Sequence, residues 1–286
     1  MAFVFQFLSR WPLWLLHRLG TVCGWLVYVL SPGYRKRLQD HARQAGVHEA
    51  DRRNAVAAAG RMVMELPRLW LGALVPVMWD GAHHIEQALA EQRGIIFLTP
   101  HLGSFEVTAQ AYASRFGSSG APMTVLYRPA RQLWLRRIIE ASRARPGLHT
   151  APANLAGVKQ LIKALRSGQC VGLLPDQVPP EGQGAWVPFF GRDAYTMTLA
   201  ARLAQQTGAR LVLAWGERLP AGAGYKVCVR PYELVLSLDL TEATAQINAA
   251  MEQVIRELPS QYLWGYARYK QPRRPDLAVG QESKKE

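Results

Sequence analysis

A histidine and a glutamate five positions apart are the residues whose types and spacing best suit chemistry. His101 and Glu106 lie in the stretch Thr99-Pro-His-Leu-Gly-Ser-Phe-Glu106. A carboxylate held against one ring nitrogen fixes the tautomer of a histidine and raises its basicity, so that the other nitrogen can take a proton from a hydroxyl. Such a pair is more often structural than catalytic. As a catalyst it would be a general base whose nucleophile is a substrate hydroxyl.

The residues around this pair predict how it is positioned. Residues 94–99 are a short, continuous apolar run, which predicts a strand buried on both faces. Ser104 suits the N-cap of a following helix, so Glu106 would lie in the first turn and could turn back toward His101. Gly103 would let a ligand approach the backbone closely. These neighbours favour the catalytic interpretation.

The remaining sequence alternates between strand and helix patterns. Further strands are expected at residues 123–127, 170–174, 210–215 and 225–235, and helices at 42–74 with a kink at Pro67, 105–115, 133–143, 155–166, 197–206 and 241–258. This alternation predicts an α/β fold in which a mostly parallel central sheet is flanked by helices. In such sheets the chemistry lies beyond the carboxyl ends of the strands.

Three further polar residues follow predicted strands. Arg128 comes after the second strand and offers a planar donor fork for phosphate or carboxylate, although an arginine there is as often a solvated charge. Asp176 and Gln177 follow the third strand, where Asp176 either orients a neighbour such as Arg128 or caps a turn. The turn Val187-Pro-Phe-Phe-Gly191 is more typical of a core, but it could wall a channel for an acyl chain.

The chain combines a large apolar fraction with a strong positive charge. Of its 286 residues 49% are hydrophobic, and 34 Lys and Arg against 21 Asp and Glu give a net charge of +13. A disordered basic protein would be poorer in apolar residues, so the composition indicates a folded chain, and no linker divides it. Three widely spaced cysteines argue against a disulfide framework or a Cys-based metal site and favour a reducing compartment.

The first thirty residues predict an attachment to a membrane. Residues 11–30 have the length and apolar character of a bilayer-spanning helix, but Arg18 makes spanning costly. A spanning helix and a helix lying at the interface, with its tryptophans at headgroup depth, are therefore both open. The basic residues 35–37 favour the cytoplasmic side. A secretory signal is the weaker interpretation, and an ordinary buried helix is the remaining alternative.

The positive charge is concentrated just after the His–Glu pair. Residues 115–166 contain ten Lys or Arg and one acid, a net charge of +9. Such a field suits a phosphorylated lipid headgroup or an acidic carrier protein. Nucleic acid is disfavoured as a partner, because no zinc-finger spacing, RNP signature or KH-type loop accompanies the charge. The sequence also lacks the P-loop, dinucleotide-binding, serine-hydrolase and zinc-protease motifs.

Five motifs, in this order, resemble those of the bacterial lipid A biosynthesis acyltransferases of the lauroyl/myristoyl type, within the lysophospholipid acyltransferase superfamily. The match runs from about residue 94 to residue 272. The motifs are His101-Leu-Gly-Ser-Phe-Glu106, which resembles the superfamily's motif of a histidine, four residues and an acid, Tyr127-Arg-Pro129, Asp176-Gln177, Val187-Pro-Phe-Phe-Gly191 and Pro259-Ser-Gln-Tyr-Leu-Trp-Gly-Tyr-Ala-Arg-Tyr-Lys270. Ser104 and Phe105 depart from the Asn and Trp that are usual there.

The resemblance implies transfer of a fatty acyl group from acyl carrier protein, or from coenzyme A, to a hydroxyl of a lipid A precursor at the cytoplasmic face of the inner membrane. It implies that His101 is the general base and Glu106 its partner, and that nearby backbone amides or a basic side chain hold the oxyanion. The implied substrate-binding positions are Arg128, Arg145, Asp176, Gln177, Gly103 and Ser104. No metal or bound cofactor is implied, because the thioester supplies the leaving group.

These interpretations divide the chain into three parts. We expect a membrane anchor or interfacial helix at residues 1–30, an acyltransferase domain at 31–274 and a polar tail at 275–286. Two alternatives stay open. The same chemistry could act on another acceptor, such as a lysophospholipid, a glycolipid or an aminolipid. More distantly, the chain could be a non-enzymatic protein that binds a membrane surface through its basic patch.

Overall fold

The structure is a computed structural model that describes residues 2–117, 120–127, 132–143 and 145–273. At its centre lies a seven-stranded sheet with the order β1-β9-β8-β2-β5-β3-β4. Its strands are β1 (Val77–Asp80), β2 (Ile95–Leu98), β3 (Met123–Tyr127), β4 (Leu148–Pro152), β5 (Cys170–Leu173), β8 (Arg210–Arg218) and β9 (Tyr225–Pro231). A separate antiparallel pair is formed by β6 (Gly184–Phe189) and β7 (Arg192–Met197).

The directions of the strands bring five carboxyl ends to one edge of the sheet. β2 is parallel to β8 and β5, and β3 is parallel to β5 and β4. β9 runs antiparallel to β8, and β1 is parallel to β9. The mostly parallel sheet expected from the sequence is therefore confirmed. The loops that follow β2, β3, β4, β5 and β8 lie together at one edge.

Helices cover both faces of this sheet. Those of the described residues are α1 (Ala2–Leu8), α2 (Leu13–Leu30), α3 (Pro32–Gln44), α4 (Glu49–Met64), α5 (Leu66–Leu71), α6 (Ala82–Ala90), α7 (Phe105–Arg115), α8 (Leu133–Arg143), α9 (Leu155–Arg166), α10 (Leu199–Thr207) and α11 (Leu240–Glu257). Helices α6, α7 and α8 contribute to the core on one face, and α9, α10 and α11 contribute to the core on the other.

The position of strand β2 between two cores explains why its sequence is apolar throughout. Ile95 and Phe97 belong to one of the two cores, and Ile96 and Leu98 belong to the other. Successive side chains of a strand point to opposite faces, so a strand covered on both faces needs an apolar residue at every position. All four side chains are buried. This strand holds the following loop on a rigid base.

The sequence predictions were wrong at the edges of the sheet and near the N-terminus. Strands β1 and β4 were not predicted, because edge strands expose several side chains and lack a continuous apolar run. The helix expected at 42–74 is divided among α3, α4 and α5. Pro67 lies in the first turn of α5, where the missing backbone N–H of proline costs little. Strand β9 ends at Pro231 and does not continue to residue 235.

Helix α2 packs along α4 through glycines. A Cβ on Gly60 would lie 1.9 Å from the carbonyl oxygen of Gly20, so any larger residue there would push the helices apart. Among the described helices, α2 is the one long and apolar enough to cross a membrane, and 28% of it is buried in the protein. Its other face exposes apolar side chains, which are Trp14, Val22, Trp25, Leu26, Val27, Val29 and Leu30.

Candidate active site

Two neighbouring strands bring the candidate site together. Leu98 at the end of β2 pairs with Leu173 at the end of β5, so the two following loops begin side by side. The first loop carries His101, and the second carries Asp176 and Gln177. The parallel register therefore places residues that are 75 positions apart in the sequence within hydrogen-bonding distance.

The His101 ring is held at both nitrogens. Nδ1 lies 2.7 Å from Oδ1 of Asp176, and the backbone N–H of His101 donates to the other carboxylate oxygen at 2.8 Å. Nε2 lies 2.9 Å from Nε2 of Gln177. Because a carboxylate only accepts, Nδ1 carries the proton of the neutral ring, and Nε2 accepts a hydrogen bond from the Gln177 amide. The unprotonated nitrogen is thus the one that faces Gln177.

Asp176 is buried, with 1% of its surface exposed. Burial by itself would raise the pKa of this carboxyl, but attraction to the protonated form of His101, the two hydrogen bonds from that residue and the nearby Arg268 together hold the pKa below its usual value. Burial and the neighbouring Asp176 raise the pKa of Tyr262 well above 10. Asp176 therefore stays ionised beside a neutral phenol and can stabilise a positive charge that forms on His101.

Glu106 does not make the predicted contact with His101. It lies in the first turn of α7, as expected, but its Oε2 accepts a hydrogen bond from the Trp70 indole N–H at 3.1 Å. The carboxylate at Nδ1 of His101 is that of Asp176. The predicted pairing is therefore corrected, because the register of β2 and β5 delivers a carboxylate that the local spacing could not indicate. Phe105 packs beside the imidazole, with ring centroids 4.8 Å apart.

Gly103 has a structural reason for its identity, whereas Ser104 does not make the hydrogen bond expected of its position. Gly103 has a φ of 58°, and a Cβ there would lie 2.0 Å from the Gly216 carbonyl oxygen. The close approach predicted for Gly103 is thus made by the protein's own β8. Ser104 occupies the N-cap position of α7, but its side chain makes no capping hydrogen bond. Their predicted contacts with substrate stay predictions.

A buried network supports this loop from behind. Arg218, at the end of β8, donates from Nη2 to the Gly103 carbonyl oxygen at 3.1 Å. The same guanidinium donates from Nε and Nη2 to the two carboxylate oxygens of Glu65, each at 2.7 Å. Glu65 also accepts from Tyr225 at 2.9 Å and lies 3.1 Å from Nε2 of His17. Helices α2 and α4 are thereby connected to the loop that carries His101.

Of the two arginines expected to bind substrate, the structure describes only Arg145. Arg128 lies outside the described residues, as does the tail at 275–286. Arg145 is half-buried and donates to the backbone carbonyls of Ser142 at 2.8 Å and Leu69 at 2.9 Å. Burial lowers the pKa of Arg145, and the nearby Glu106 carboxylate raises it. Its position beside Glu106 keeps it near the candidate site.

A cavity of about 770 Å³ opens beside the His101 ring. His101, Glu106 and Gln177 line it, and it continues into the interior along apolar side chains. These include Ile85, Phe97, Tyr112, Val125, Val227 and Val229. Phe189 and Phe190 of the predicted channel wall are instead buried in the core, where Phe190 lies 5.5 Å from Trp264 between ring centroids. Among the described residues no group of three His, Cys, Asp or Glu side chains is placed to hold a metal ion.

Sequence reasoning named Asp176 but missed its contact with His101. A general rule could have found it, since an acid after one buried parallel strand and a histidine after another meet at the same edge. Trp70 was missed altogether, because it reaches Glu106 from 36 positions upstream. Arg218 was missed for the same reason, since its role depends on tertiary contacts with Glu65 and Gly103.

The fold and site define an α/β protein with a carboxylate-supported histidine at the strand ends, beside a deep and largely apolar cavity. This arrangement can activate a hydroxyl next to a bound apolar chain. The sequence profile described as "Bacterial lipid A biosynthesis acyltransferase" matches residues 3–271. The chain therefore belongs to that family.

Several characterised relatives are similar to this chain over part of their length. A lipid A biosynthesis lauroyltransferase of Escherichia coli (strain K12) is 30% identical over 192 residues, which cover 66% of this chain and 60% of the relative. A lipid A biosynthesis acyltransferase of Haemophilus influenzae is 29% identical over 187 residues, 64% of this chain and 56% of the relative. A palmitoleoyltransferase of E. coli is 24% identical over 192 residues. The matched region thus spans less than two thirds of these relatives.

Proposed function

We propose that the protein is a membrane-associated O-acyltransferase that moves a fatty acyl group from acyl carrier protein to a hydroxyl of a lipid A precursor. The observation that carries this proposal is the His101 ring, held by Asp176 at the wall of the cavity. Membership of the lipid A family supports the acceptor, a phosphorylated glycolipid. No metal or bound cofactor takes part, because the thioester supplies the leaving group.

The chemistry follows from the protonation of His101. Nε2 takes the proton of the acceptor hydroxyl while that oxygen attacks the carbonyl carbon of the thioester. The carbonyl π electrons move to oxygen, and their return breaks the C–S bond. The departing thiolate takes the proton back from Nε2, which leaves an ester and the free thiol of the carrier. Asp176 stabilises the imidazolium between these steps, and such general-base assistance is worth about 10²–10⁴-fold in rate.

Glu106 retains a role in catalysis under this proposal, but through the substrate. It lies on the wall of the same cavity, where its carboxylate can orient the acceptor hydroxyl. Arg145 lies beside it, and Arg128 belongs to the same basic segment of the sequence. We assign Arg128 to the phosphate of the acceptor, since a guanidinium fork matches the geometry of a phosphate. Arg145 adds its positive charge to this region, while its Nε and Nη2 donate to backbone carbonyls.

The interior of the cavity is assigned to the acyl chain. Its size lies within the range of ligand-binding cavities, about 300–1,000 Å³, and side chains of the sheet and of α6, α7, α9 and α10 line it. Burial of a hydrocarbon chain against these residues is favourable at about 0.8 kcal/mol per methylene group. Polar side chains also line the cavity, among them His101, Glu106, Gln177, Asn154 and Arg202.

Helix α2 is assigned to the membrane surface. One face of this helix packs on α4, which carries Arg52, Arg53 and Arg61, and the other face exposes apolar side chains. If α2 crossed the bilayer, those arginines would be drawn toward the lipid at high cost. A helix lying in the interface keeps them in water and buries the apolar face in lipid. The cytoplasmic leaflet of the inner membrane is the proposed location.

The carrier protein is assigned to the exposed face of α9. Lys159, Lys163 and Arg166 are exposed and spaced by four and three residues, so they lie on one side of the helix. Leu155 begins the same helix, lines the cavity and is 82% exposed. A basic face next to the cavity suits an acidic carrier that must deliver a thioester to His101.

Mass spectrometry of membrane lipids tests the proposal. Cells without the gene should make lipid A that lacks one secondary acyl chain, and a copy of the gene carrying His101→Ala should not restore it. The exposed His149 provides a matched control, so His149→Ala should restore the chain fully. A chain missing from a lysophospholipid, glycolipid or aminolipid would replace the proposed acceptor. No change in any lipid would contradict the enzymatic proposal.

A further inference from the structure

The nitrogen of His101 that must take a proton is already occupied. Nε2 accepts a hydrogen bond from the Gln177 carboxamide at 2.9 Å, while Nδ1 is committed to Asp176. Gln177 lines the cavity, and in the described part of the chain its amide nitrogen makes no second hydrogen bond. The amide carries two hydrogens, so one of them is available to a ligand in the cavity.

The backbone N–H groups of residues 101–104 are all used by the protein itself. The N–H of His101 donates to Asp176, and that of Leu102 donates to the Pro100 carbonyl oxygen at 2.7 Å. The N–H groups of Gly103 and Ser104 donate to the carbonyl oxygens of Gln261 and Gly216. The expectation that amides of this loop hold an oxyanion is therefore not met at residues 101–104. The Gln177 side chain, 2.9 Å from Nε2 of His101, is a donor that remains next to this loop.

We propose that the Gln177 carboxamide has two successive partners in the reaction. In the free protein it caps Nε2 of His101, and when the acceptor hydroxyl displaces it, it donates to the carbonyl oxygen of the thioester. This inference rests on the acyl transfer proposed above and gives that reaction a further catalytic residue. A neutral amide suits both partners. It can donate a hydrogen bond to an oxyanion, and because it carries no charge it does not disturb the interaction between Asp176 and protonated His101.

In this reaction Gln177 acts only as a hydrogen-bond donor. His101 Nε2 gains the hydroxyl proton, the new C–O bond forms, and the carbonyl π electrons become a lone pair on the oxygen bound by the Gln177 amide. When the C–S bond breaks, that lone pair reforms the carbonyl, and the thiolate receives the proton from Nε2. Gln177 gains and loses no atoms, and its hydrogen bond strengthens only while the oxygen is negative.

Substitution of Gln177 separates this role from a packing role. Gln177→Ala should lower kcat about 100-fold with little change in KM, because the lost interaction exists mainly in the transition state. Gln177→Glu keeps the shape but places a carboxylate where negative charge develops, so kcat should fall further than in the alanine variant. Gln205→Ala, which removes an exposed glutamine from α10, is the matched control and should keep the activity. Activity of Gln177→Glu close to that of the wild type would overturn the proposal.

Chemical modification tests the capping step without substrate. Diethyl pyrocarbonate reacts with the unprotonated nitrogen of an imidazole, so His101 should react several-fold faster in Gln177→Ala than in the wild type. The exposed His149 serves as the internal reference in the same mass spectrum. Equal rates at His101 in the two proteins would overturn the cap. A wild type that transfers no acyl group would refute the proposed function, and the modification rates would still decide whether Gln177 covers His101.

Discussion

Glu65 and Asp176 are two buried carboxylates, and each lies beside a histidine. Both are 1% exposed, and they lie 3.1 Å from Nε2 of His17 and 2.7 Å from Nδ1 of His101, respectively. Glu65 also receives two hydrogen bonds from Arg218 and one from Tyr225, so it is the centre of a closed network. Asp176 holds a ring whose other nitrogen faces a cavity through Gln177.

The difference teaches what turns an acid–histidine pair into a site. Burial and a short hydrogen bond are found in both pairs, so these two features do not show which pair is catalytic and which is structural. Of the two histidines, His101 is the one that lines the cavity, and its proton-accepting nitrogen Nε2 lies next to the Gln177 side chain, which lines the same cavity. The Glu65 network serves the site indirectly, because Arg218 holds the Gly103 carbonyl in the same loop. One pair is thus assigned to chemistry and the other to the fold.

The largest effect is expected when the catalytic histidine is removed. His101→Ala should lower the rate of acyl transfer by about 10²–10⁴-fold, because His101 is the only histidine among the described residues that line the cavity. The protein should remain folded by circular dichroism, since the Glu65 network is untouched. A rate near that of the wild type, measured with purified protein and an acylated carrier, would remove His101 from the mechanism.

Breaking the structural pair should instead cost stability. Glu65→Gln leaves the Arg218 guanidinium buried without its counter-charge, and loss of one partner of a buried pair destabilises by about 3–5 kcal/mol. Urea unfolding measures this change. Glu49→Gln is the matched control, because Glu49 forms an exposed pair with Arg53 and its loss should not change the unfolding midpoint. Equal midpoints for the two variants would contradict the role given to Glu65.

Acid should weaken the fold through the same residue. Burial by itself would raise the pKa of Glu65, but Arg218 and His17 lower it from 4.5 to about 2. A carboxyl whose pKa is depressed on folding stabilises the protein fully above its ordinary pKa, and this contribution is lost as the pH falls from 4.5 toward 2. Unfolding followed across that window should therefore show a steeper loss of stability for the wild type than for Glu65→Gln.

The smallest effect is expected at His17. His17→Phe removes one of the four side-chain hydrogen bonds to Glu65 and keeps the size of the ring, so the free energy of unfolding should fall by about 1–2 kcal/mol. Acyl transfer by the folded variant should stay near the wild-type rate, because Arg218 still holds Gly103. A large loss of activity at unchanged stability would mean that the two acid–histidine pairs are not separate in function.

The sequence predicted the centre of the fold better than its margins. Continuous apolar runs identified β2, β5 and β8, because a strand that is covered on both faces needs apolar side chains on both. The edge strands β1 and β4 carry no such pattern, and their pairing depends on neighbours elsewhere in the chain. The breaks between α3, α4 and α5 were also missed. Helix periodicity continues through residues 42–74 although the chain changes direction there.

The candidate site was predictable as a set of residues but not as a set of contacts. His101, Asp176 and Gln177 all follow buried parallel strands, so the sequence placed them at one edge of the sheet. Which carboxylate reaches His101 depends on the register of β2 and β5. That register cannot be predicted from the spacing of residues within one short segment. The same limit applies to Glu65 and Arg218, whose pairing joins a helix end to a strand 153 positions away.

The most direct test of the account is the rate of acyl transfer by Asp176→Asn. The amide keeps the shape of the carboxylate but cannot stabilise the imidazolium or fix the same tautomer of His101, so the turnover rate should fall by up to the factor expected for His101→Ala, about 10²–10⁴-fold. KM should change little, and Asp193→Asn, an exposed aspartate on β7, should keep full activity. Turnover of Asp176→Asn within about threefold of the wild type would contradict the assignment of Asp176 as the partner of the catalytic base.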